Sequence, residues 1–233
     1  MEKNVTKKIR IRLLPLFVFL LVILCILLVG KIMIDLPIHN IIVVGNHYLT
    51  DQEIIETAGI EEYPSFIRSY FSPLKENLEK NLWIKKASIK RKFFGVIEIQ
   101  IEEKEPLFEK VENKVIVLSD GTEIPSTSLE SPVLGLLNYV PNTKYDTFIK
   151  QMGKIDPSIR YLISEITYLP NEQDKDRFLL YMSDGNYVYL TLTKFQNINY
   201  YEQVLEQLAG RKGILYLDSG NHFQIMEDIS NSN

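Results

Sequence analysis

One cysteine, Cys25, and three histidines, His39, His47 and His222, are the whole supply of thiol and imidazole in 233 residues. Catalytic zinc takes three protein ligands in a defined set. These histidines are scattered, two of them beside turns, and none stands at ligand spacing from a carboxylate, so they read as loop or strand residues and no metal or cofactor is expected. Cys25 lies inside a long apolar run, which leaves the rest of the chain without a disulfide, a thiolate nucleophile or a thiolate metal site. Asp120, Asp184 and Asp218 remain. Each sits in a turn between strands, and two such carboxylates could perform acid–base hydrolysis, with Asp184 and Asp218 the pair to consider. Asp-Gly and Asp-Ser-Gly are equally what turns use without any catalytic role. No nucleophile elbow, zinc-protease helix, Walker loop or dinucleotide fingerprint accompanies them, so no catalytic residue is assigned.

The elements that would carry these residues begin with a membrane anchor. Leu13 to Gly30 is an uncharged run of 18 residues, about 27 Å as a helix, and Ile32 to Ile34 extend it past a Lys31 that can snorkel to the interface. A cleaved signal peptide shares the basic start but has a shorter apolar core and a small-residue cleavage site, which Leu-Val-Gly-Lys-Ile-Met-Ile-Asp does not offer. Lys3, Lys7, Lys8, Arg10 and Arg12 against one Glu place the N-terminus in the cytoplasm and everything after Asp35 outside. Removing Glu2 and the six basic residues up to Lys31 from the chain's 30 acidic and 26 basic residues leaves 29 against 20, a net charge of about −9 outside. Nucleic acid is excluded as a partner, since neutralising phosphate needs a basic surface.

Ile41 to Val44 suits a strand, Gly45-Asn46 a turn, and Thr50 with Glu53 a capping box, with Leu49 and Ile54 as hydrophobic staple and Gly59 as stop. Ser72-Pro73 then reads as N-cap and N1 of a second helix carrying the stripe Leu74, Leu78, Leu82. Strands over Ile84 to Lys90 and Val96 to Glu102 follow, the second with Ile97, Ile99 and Ile101 on one face. Lys85, Lys86, Lys90, Arg91 and Lys92 form a basic cluster around the first of these, either a solvated strand face or a contact for an acidic partner or lipid headgroups. Beyond Glu105-Pro106 the texture changes to short strands and turns. Leu107 to Glu112, Val115 to Leu118 and Glu123 to Pro125 come first, then a polar loop through Ser131. Tyr145 to Met152 and Ser158 to Ser164 suit helices, and Glu165 to Leu169, Phe178 to Met182 and Val188 to Thr191 form a meander. Tyr201, Val204, Leu205 and Leu208 have helical spacing ended by Ala209-Gly210. A final hairpin pairs Ile214 to Leu217 with His222 to Met226, either strand of which could leave an open edge for a partner strand.

These residues resemble the FtsQ/DivIB family of bacterial cell-division proteins. Ile38-x-x-Ile41-x-Val43-x-Gly45-Asn46, Leu49-Thr50-x-x-Glu53-Ile54, Gly59-Ile60 and Glu103-Lys104-Glu105-Pro106 are similar to the family's POTRA pattern. Ile163-Ser164-Glu165-Ile166, Asp184-Gly185, Tyr200 to Leu208 and Gly213-Ile214-x-x-Leu217-Asp218 follow the order of its β domain. The resemblance implies an α+β chain: a cytoplasmic tail over 1–12, a single transmembrane helix over 13–34, a POTRA domain (βααββ) over 35–106, a larger mixed β domain with a C-terminal helix and hairpin over 107–228, and a flexible tail over 229–233. It implies a non-enzymatic scaffold at the division septum. Such a scaffold binds FtsL and DivIC/FtsB-type proteins outside the membrane and supports control of the septal peptidoglycan synthase. The family's partner-receiving edge carries over to Ile214, Leu215, Tyr216, Leu217, His222, Phe223 and Gln224. A membrane-anchored cell-wall hydrolase and a POTRA-type transport or chaperone component are the alternatives.

Overall fold

The computed structural model describes residues 13–66, 71–93, 95–128, 134–208 and 210–226. The basic segment 1–12, the loop around Ser131, Ala209 and the tail from 227 therefore lie outside the described residues. The chain divides into two compact units, 1–102 and 103–233.

The first unit opens with α1 (Leu13–Asp35), 23 residues and about 35 Å long, with its apolar side chains uncovered along its length, as suits a helix whose solvent is lipid. Next, β1 (Asn40–Val44) leads through α2 (Asp51–Ala58) and α3 (Phe71–Lys80) to the hairpin β2 (Ile84–Arg91) and β3 (Val96–Glu103). The sheet order is β1-β3-β2, with β1 parallel to β3 and Ile41 and Val43 opposite Ile97 and Ile99. The helices cover the isoleucine face, where Ile54, Ala58, Leu78, Ile97, Ile99 and Ile101 form the core. Ile42 and Val44, on the other face of β1, stay exposed.

Gly45 has φ +89°, and a Cβ there would stand 2.2 Å from the Ile101 carbonyl oxygen, so only glycine fits. Asn46 then donates to the Leu49 carbonyl at 3.0 Å and to Asp51 at 2.8 Å, which closes the turn into α2. The capping box forms in full. Thr50 Oγ1 accepts from the Glu53 N–H at 3.2 Å, and the Thr50 N–H donates to the Glu53 carboxylate at 2.7 Å. Those bonds from Thr50 hold the Glu53 carboxyl below its ordinary value. A carboxyl depressed in the folded state adds stability above its unfolded pKa and loses it as pH falls through the folded one. Thr50→Ala is therefore expected to cost about 1 kcal/mol at neutral pH, and less after acidification, read as lost hydrogen-exchange protection in α2.

Two expectations fail around α3. The helix is already running at Phe71, so Ser72 is not its cap; its hydroxyl lies 3.3 Å from Glu76, one turn on. Leu82 does not continue the stripe but is 52% exposed, because the helix stops at Lys80 and the Asn81 side chain accepts from the Trp83 N–H at 3.0 Å. Trp83 turns inward in its place and stacks on Tyr48.

The second unit contains β4 (Pro106–Lys110), β5 (Val115–Leu118), β6 (Glu123–Pro125), β7 (Leu136–Leu137), α4 (Asn142–Met152), α5 (Pro157–Arg160), β8 (Ile163–Tyr168), β9 (Arg177–Met182), β10 (Tyr187–Thr191), a 3-10 helix (Leu192–Tyr200), α6 (Tyr201–Leu208), β11 (Gly213–Tyr216) and β12 (His222–Ile225). Among the described residues the strands make one sheet in the order β12-β11-β10-β9-β8-β7-β4-β5-β6. Phe178, Leu180, Val188, Leu190 and Leu215 share one core with Phe148 of α4 and Phe195 and Ile198 of the 3-10 helix. Phe148 stacks on Phe178 at 5.2 Å, and Phe195 meets both rings edge-on.

The expected helix over Ser158 to Ser164 ends at Arg160. Ile163 and Ser164 instead enter β8, because strand partners on both sides, β7 and β9, outweigh local propensity. The two-residue strand β7 and the 3-10 helix carry no periodicity from which they could be read.

Candidate partner-binding edge

The last four strands of the sheet set out a row of polar and aromatic side chains on the face turned away from the helices. Asp218 accepts from Arg177 Nε at 2.7 Å, with both side chains largely buried. The Arg177 guanidinium lies 3.6 Å from the centre of the Tyr189 ring. Tyr189 stacks on Tyr216 at 5.3 Å, and Tyr216 on His222 at 4.6 Å with the rings 10° from parallel. Register explains the row, since Tyr189 pairs with Tyr216 and Tyr216 with His222. Tyr216 also donates to the Gln224 side-chain oxygen at 3.3 Å. An ion pair, a cation–π contact and two stacked pairs thus tie β9, β10, β11 and β12 side to side.

This row ends at a sheet edge. β12 has β11 on one side and no strand on the other among the described residues. Which of its backbone groups are open follows from the ladder. The Met226 N–H donates to the Lys212 carbonyl, so in the antiparallel alternation residues 222, 224 and 226 point to β11. Phe223 and Ile225 consequently turn their N–H and C=O groups outward. On the far side of β11, the Leu217 N–H donates to the Tyr189 carbonyl and the Gly213 N–H to Asn186, which agrees with the same alternation.

The sequence-derived residues divide accordingly. His222 and Gln224 are exposed on the edge strand, Tyr216 and Ile214 are half-buried beside it, and Phe223 packs its ring inward against the core. Leu215 and Leu217 are core residues. The strand of Ile214 to Leu217 is corrected from a possible edge to an interior strand, because β10 pairs with it in parallel while β12 takes its other side. Arg177 and Tyr189 belong to the same face as Tyr216 and His222 but were not singled out from sequence, while Ile225, part of the expected apolar hairpin, lies with Phe223 on the other face of the edge strand. The alternation of Tyr187 and Tyr189 with Val188 and Leu190 was the available signal.

Asp184 and Asp218 serve the fold and are not paired. Asp184 accepts from the Asn186 backbone and side chain and from the Tyr201 hydroxyl, while Asp218 is taken by Arg177. One lies beyond each end of β9, a six-residue strand, so about 17 Å separates them at 3.3 Å per residue. Two-carboxylate hydrolysis needs about 5–9.5 Å. Asp120 is likewise held: burial works against its charge, but hydrogen bonds from Lys104 and Thr122 outweigh that and keep its carboxyl below the ordinary value. Among the described residues no three His, Cys, Asp or Glu side chains gather as metal ligands.

Residues 36–104 match the family model of the FtsQ-type POTRA domain, and residues 108–219 match that of the C-terminal region of the cell-division proteins FtsQ/DivIB. The cell-division protein DivIB of Bacillus cytotoxicus is 31% identical over 199 residues, covering 82% of this chain and 77% of its own. DivIB of Listeria monocytogenes is 27% identical over 194 residues, covering 80% and 72%. A solved structure, the major extracytoplasmic domain of the trans isomer of DivIB from Geobacillus stearothermophilus, aligns with 46% of this chain and 96% of its own. Its TM-score of 0.38 at 19% identity is too low to carry an argument about the fold.

Proposed function

Given that this chain belongs to the FtsQ/DivIB family of bacterial cell-division proteins, we propose that it is a non-enzymatic scaffold of the division machinery. Its N-terminus is cytoplasmic, α1 crosses the membrane, and the POTRA domain and the second unit lie outside it at the septum. There it binds FtsL and DivIC/FtsB-type bitopic proteins and through them supports control of septal peptidoglycan synthesis. The partner-binding residues are His222, Phe223 and Gln224 of β12, extended by Ile225, with Ile214 and Tyr216 supporting them from β11, while Leu215 of β11 and Leu217 just beyond it hold the hairpin to the core.

The observation that carries this reading is the open edge of β12. Outward N–H and C=O groups at Phe223 and Ile225 are a template that an extended partner segment completes, and alternate side chains beside it supply selectivity. Ile225, 45% exposed, gives that segment an apolar side chain to cover.

A photo-activated crosslinker placed at Ile225 in the full chain, in its native membrane, is expected to capture a DivIC/FtsB-type protein, while the same group at Gln52 on α2 is not. Capture at neither position, or an even distribution of the chain around the cell membrane, would overturn the reading. The separation and prior engagement of Asp184 and Asp218 leave a wall hydrolase without a paired acid and base.

A further inference from the structure

The most exposed large hydrophobic side chain among the described residues is Phe93, 87% accessible, at the tip of the β2–β3 hairpin. Its position relative to the anchor is set by hydrogen bonds. α1 ends at Asp35, and the next four residues are fastened to the POTRA domain at once. The Leu36 carbonyl accepts from the Phe66 N–H at 2.9 Å, the Ile38 N–H donates to the Pro64 carbonyl at 3.0 Å, and the His39 N–H donates to the Gly95 carbonyl at 2.8 Å. The Ser65 hydroxyl reaches back to the Ile34 carbonyl, inside the helix. Successive N–H groups of an extended segment point to opposite sides. The Tyr63–Phe66 loop therefore grips one flank of the exit segment and the base of the β2–β3 turn grips the other. Gly95 packs so closely that a Cβ there would lie 3.0 Å from the His39 ring and 3.2 Å from the Pro37 carbonyl oxygen.

A hairpin tip bound to residues 37–39 is held within a few residues of the point where α1 leaves the bilayer, because consecutive Cα atoms are about 3.8 Å apart. Its side chains have the composition of the membrane interface. Lys90, Arg91 and Lys92 are exposed, and Arg91 is set in place over the Phe71 ring at 4.3 Å and by a bond to the Phe66 carbonyl. Glu98 meets Lys92 at 3.0 Å and offsets part of this charge. Tyr63, 45% exposed, adds an aromatic residue on the opposite flank. Without Lys90, Arg91 and Lys92 the exterior has 29 acidic against 17 basic residues, a net charge of about −12 that an anionic leaflet repels.

We propose that Lys90 to Phe93 is a lipid-contact site: Phe93 enters the boundary between headgroups and acyl chains, and Lys90, Arg91 and Lys92 meet the phosphates of anionic lipid, which fixes the tilt of the POTRA domain on the bilayer. The proposal rests on α1 spanning that bilayer, and its test separates the two. The full chain is reconstituted in nanodiscs of phosphatidylglycerol and phosphatidylcholine with a nitroxide label at one of three places. These are native Cys25, Phe93→Cys in a Cys25→Ser background, and Gln52→Cys in the same background as a water-exposed reference at the far end of β1. Cys25 lies ten residues before Asp35, about 15 Å and so near the bilayer centre.

The label at 93 is expected to be several-fold less accessible to a water-soluble nickel relaxant than the label at 52. That protection is expected to fall when Lys90→Glu and Lys92→Glu are added, or when phosphatidylglycerol is left out. Equal accessibility at 93 and 52 with a deep label at Cys25 overturns the lipid contact alone. A label at Cys25 open to the nickel reagent overturns the anchor and the lipid contact together. Protection unchanged by loss of the anionic lipid overturns the role given to the three cations. No partner protein is present, and discs without phosphatidylglycerol carry the same scaffold belt, so protection lost with the anionic lipid is assigned to the lipid and not to an acidic protein.

Discussion

Replacing Asp184 with alanine is expected to destabilise the C-terminal unit by about 2–6 kcal/mol, since two buried polar groups lose their partner at about 1–3 kcal/mol each. The Asp184 carboxylate accepts the Asn186 N–H at 3.0 Å, the Asn186 side-chain amide at 2.9 Å and the Tyr201 hydroxyl at 2.9 Å. Asn186 and Tyr201 are each 1% exposed. Asn186 in turn accepts the Gly213 N–H at 2.9 Å, so one carboxylate joins the β9–β10 turn, the first residue of α6 and the first residue of β11. Its loss should show as a lower urea midpoint for this unit and as faster hydrogen exchange in 213–217. Asp184→Asn keeps an acceptor for Tyr201 and should lose about half as much. Equal stability of the alanine variant and the wild type would remove the structural role given to Asp184. Burial above all, with Asp184 adding to it, pushes the Tyr201 phenol well above its ordinary value of 10.0. A phenol raised in the folded state adds stability that is intact below the unfolded pKa and declines as pH rises past it. The wild type should therefore lose part of this stability above about pH 10.

Proline at Ile225 and proline at Gln224 are expected to act on different properties. The Ile225 N–H faces the open edge of β12, so Ile225→Pro removes an outward donor and leaves the ladder to β11 intact. On the proposed strand addition, affinity for a DivIC/FtsB-type protein should fall at least about tenfold, or about 1.4 kcal/mol, while stability changes by less than about 1 kcal/mol. The Gln224 N–H points to Ile214, its ladder partner. Gln224→Pro breaks that bond and should destabilise the hairpin by about 3 kcal/mol. Titration of the reconstituted chain with the partner, beside hydrogen exchange of β11 and β12, distinguishes the two effects. Wild-type binding by Ile225→Pro would show that the partner does not add a strand here.

The same contrast between local and distant information runs through the fold. Thr50 and Glu53 are three residues apart, and their capping box is a property of one helical turn, so it could be read directly. The alternation of Ile97, Ile99 and Ile101 likewise reports a half-buried strand wherever its neighbours lie. Leu82 was misplaced because the Leu74-Leu78 spacing is silent about where the helix stops; a side-chain bond from Asn81 to Trp83 decided that. Ile163 and Ser164 were misplaced because β8 exists through pairing with β7 and β9, segments roughly 20–30 and 10–20 residues away in the chain.

Composition and spacing by themselves determined an acidic α+β chain in two parts with one N-terminal segment long and apolar enough to cross a membrane and no second cysteine for an internal disulfide, because those depend on residue counts and on periodicities of a few residues, while the family resemblance rests on the order of matching motifs. The tertiary structure decided that β12 is the edge and β11 is interior, and it joined Arg177, Tyr189, Tyr216 and His222 in one row across four strands. It also separated Asp184 from Asp218. The parallel pairing of β10 with β11 passes through a 3-10 helix and α6, and sheet order after such a crossover is set by how those helices pack on the core. That packing depends on contacts between distant segments, which no local spacing encodes.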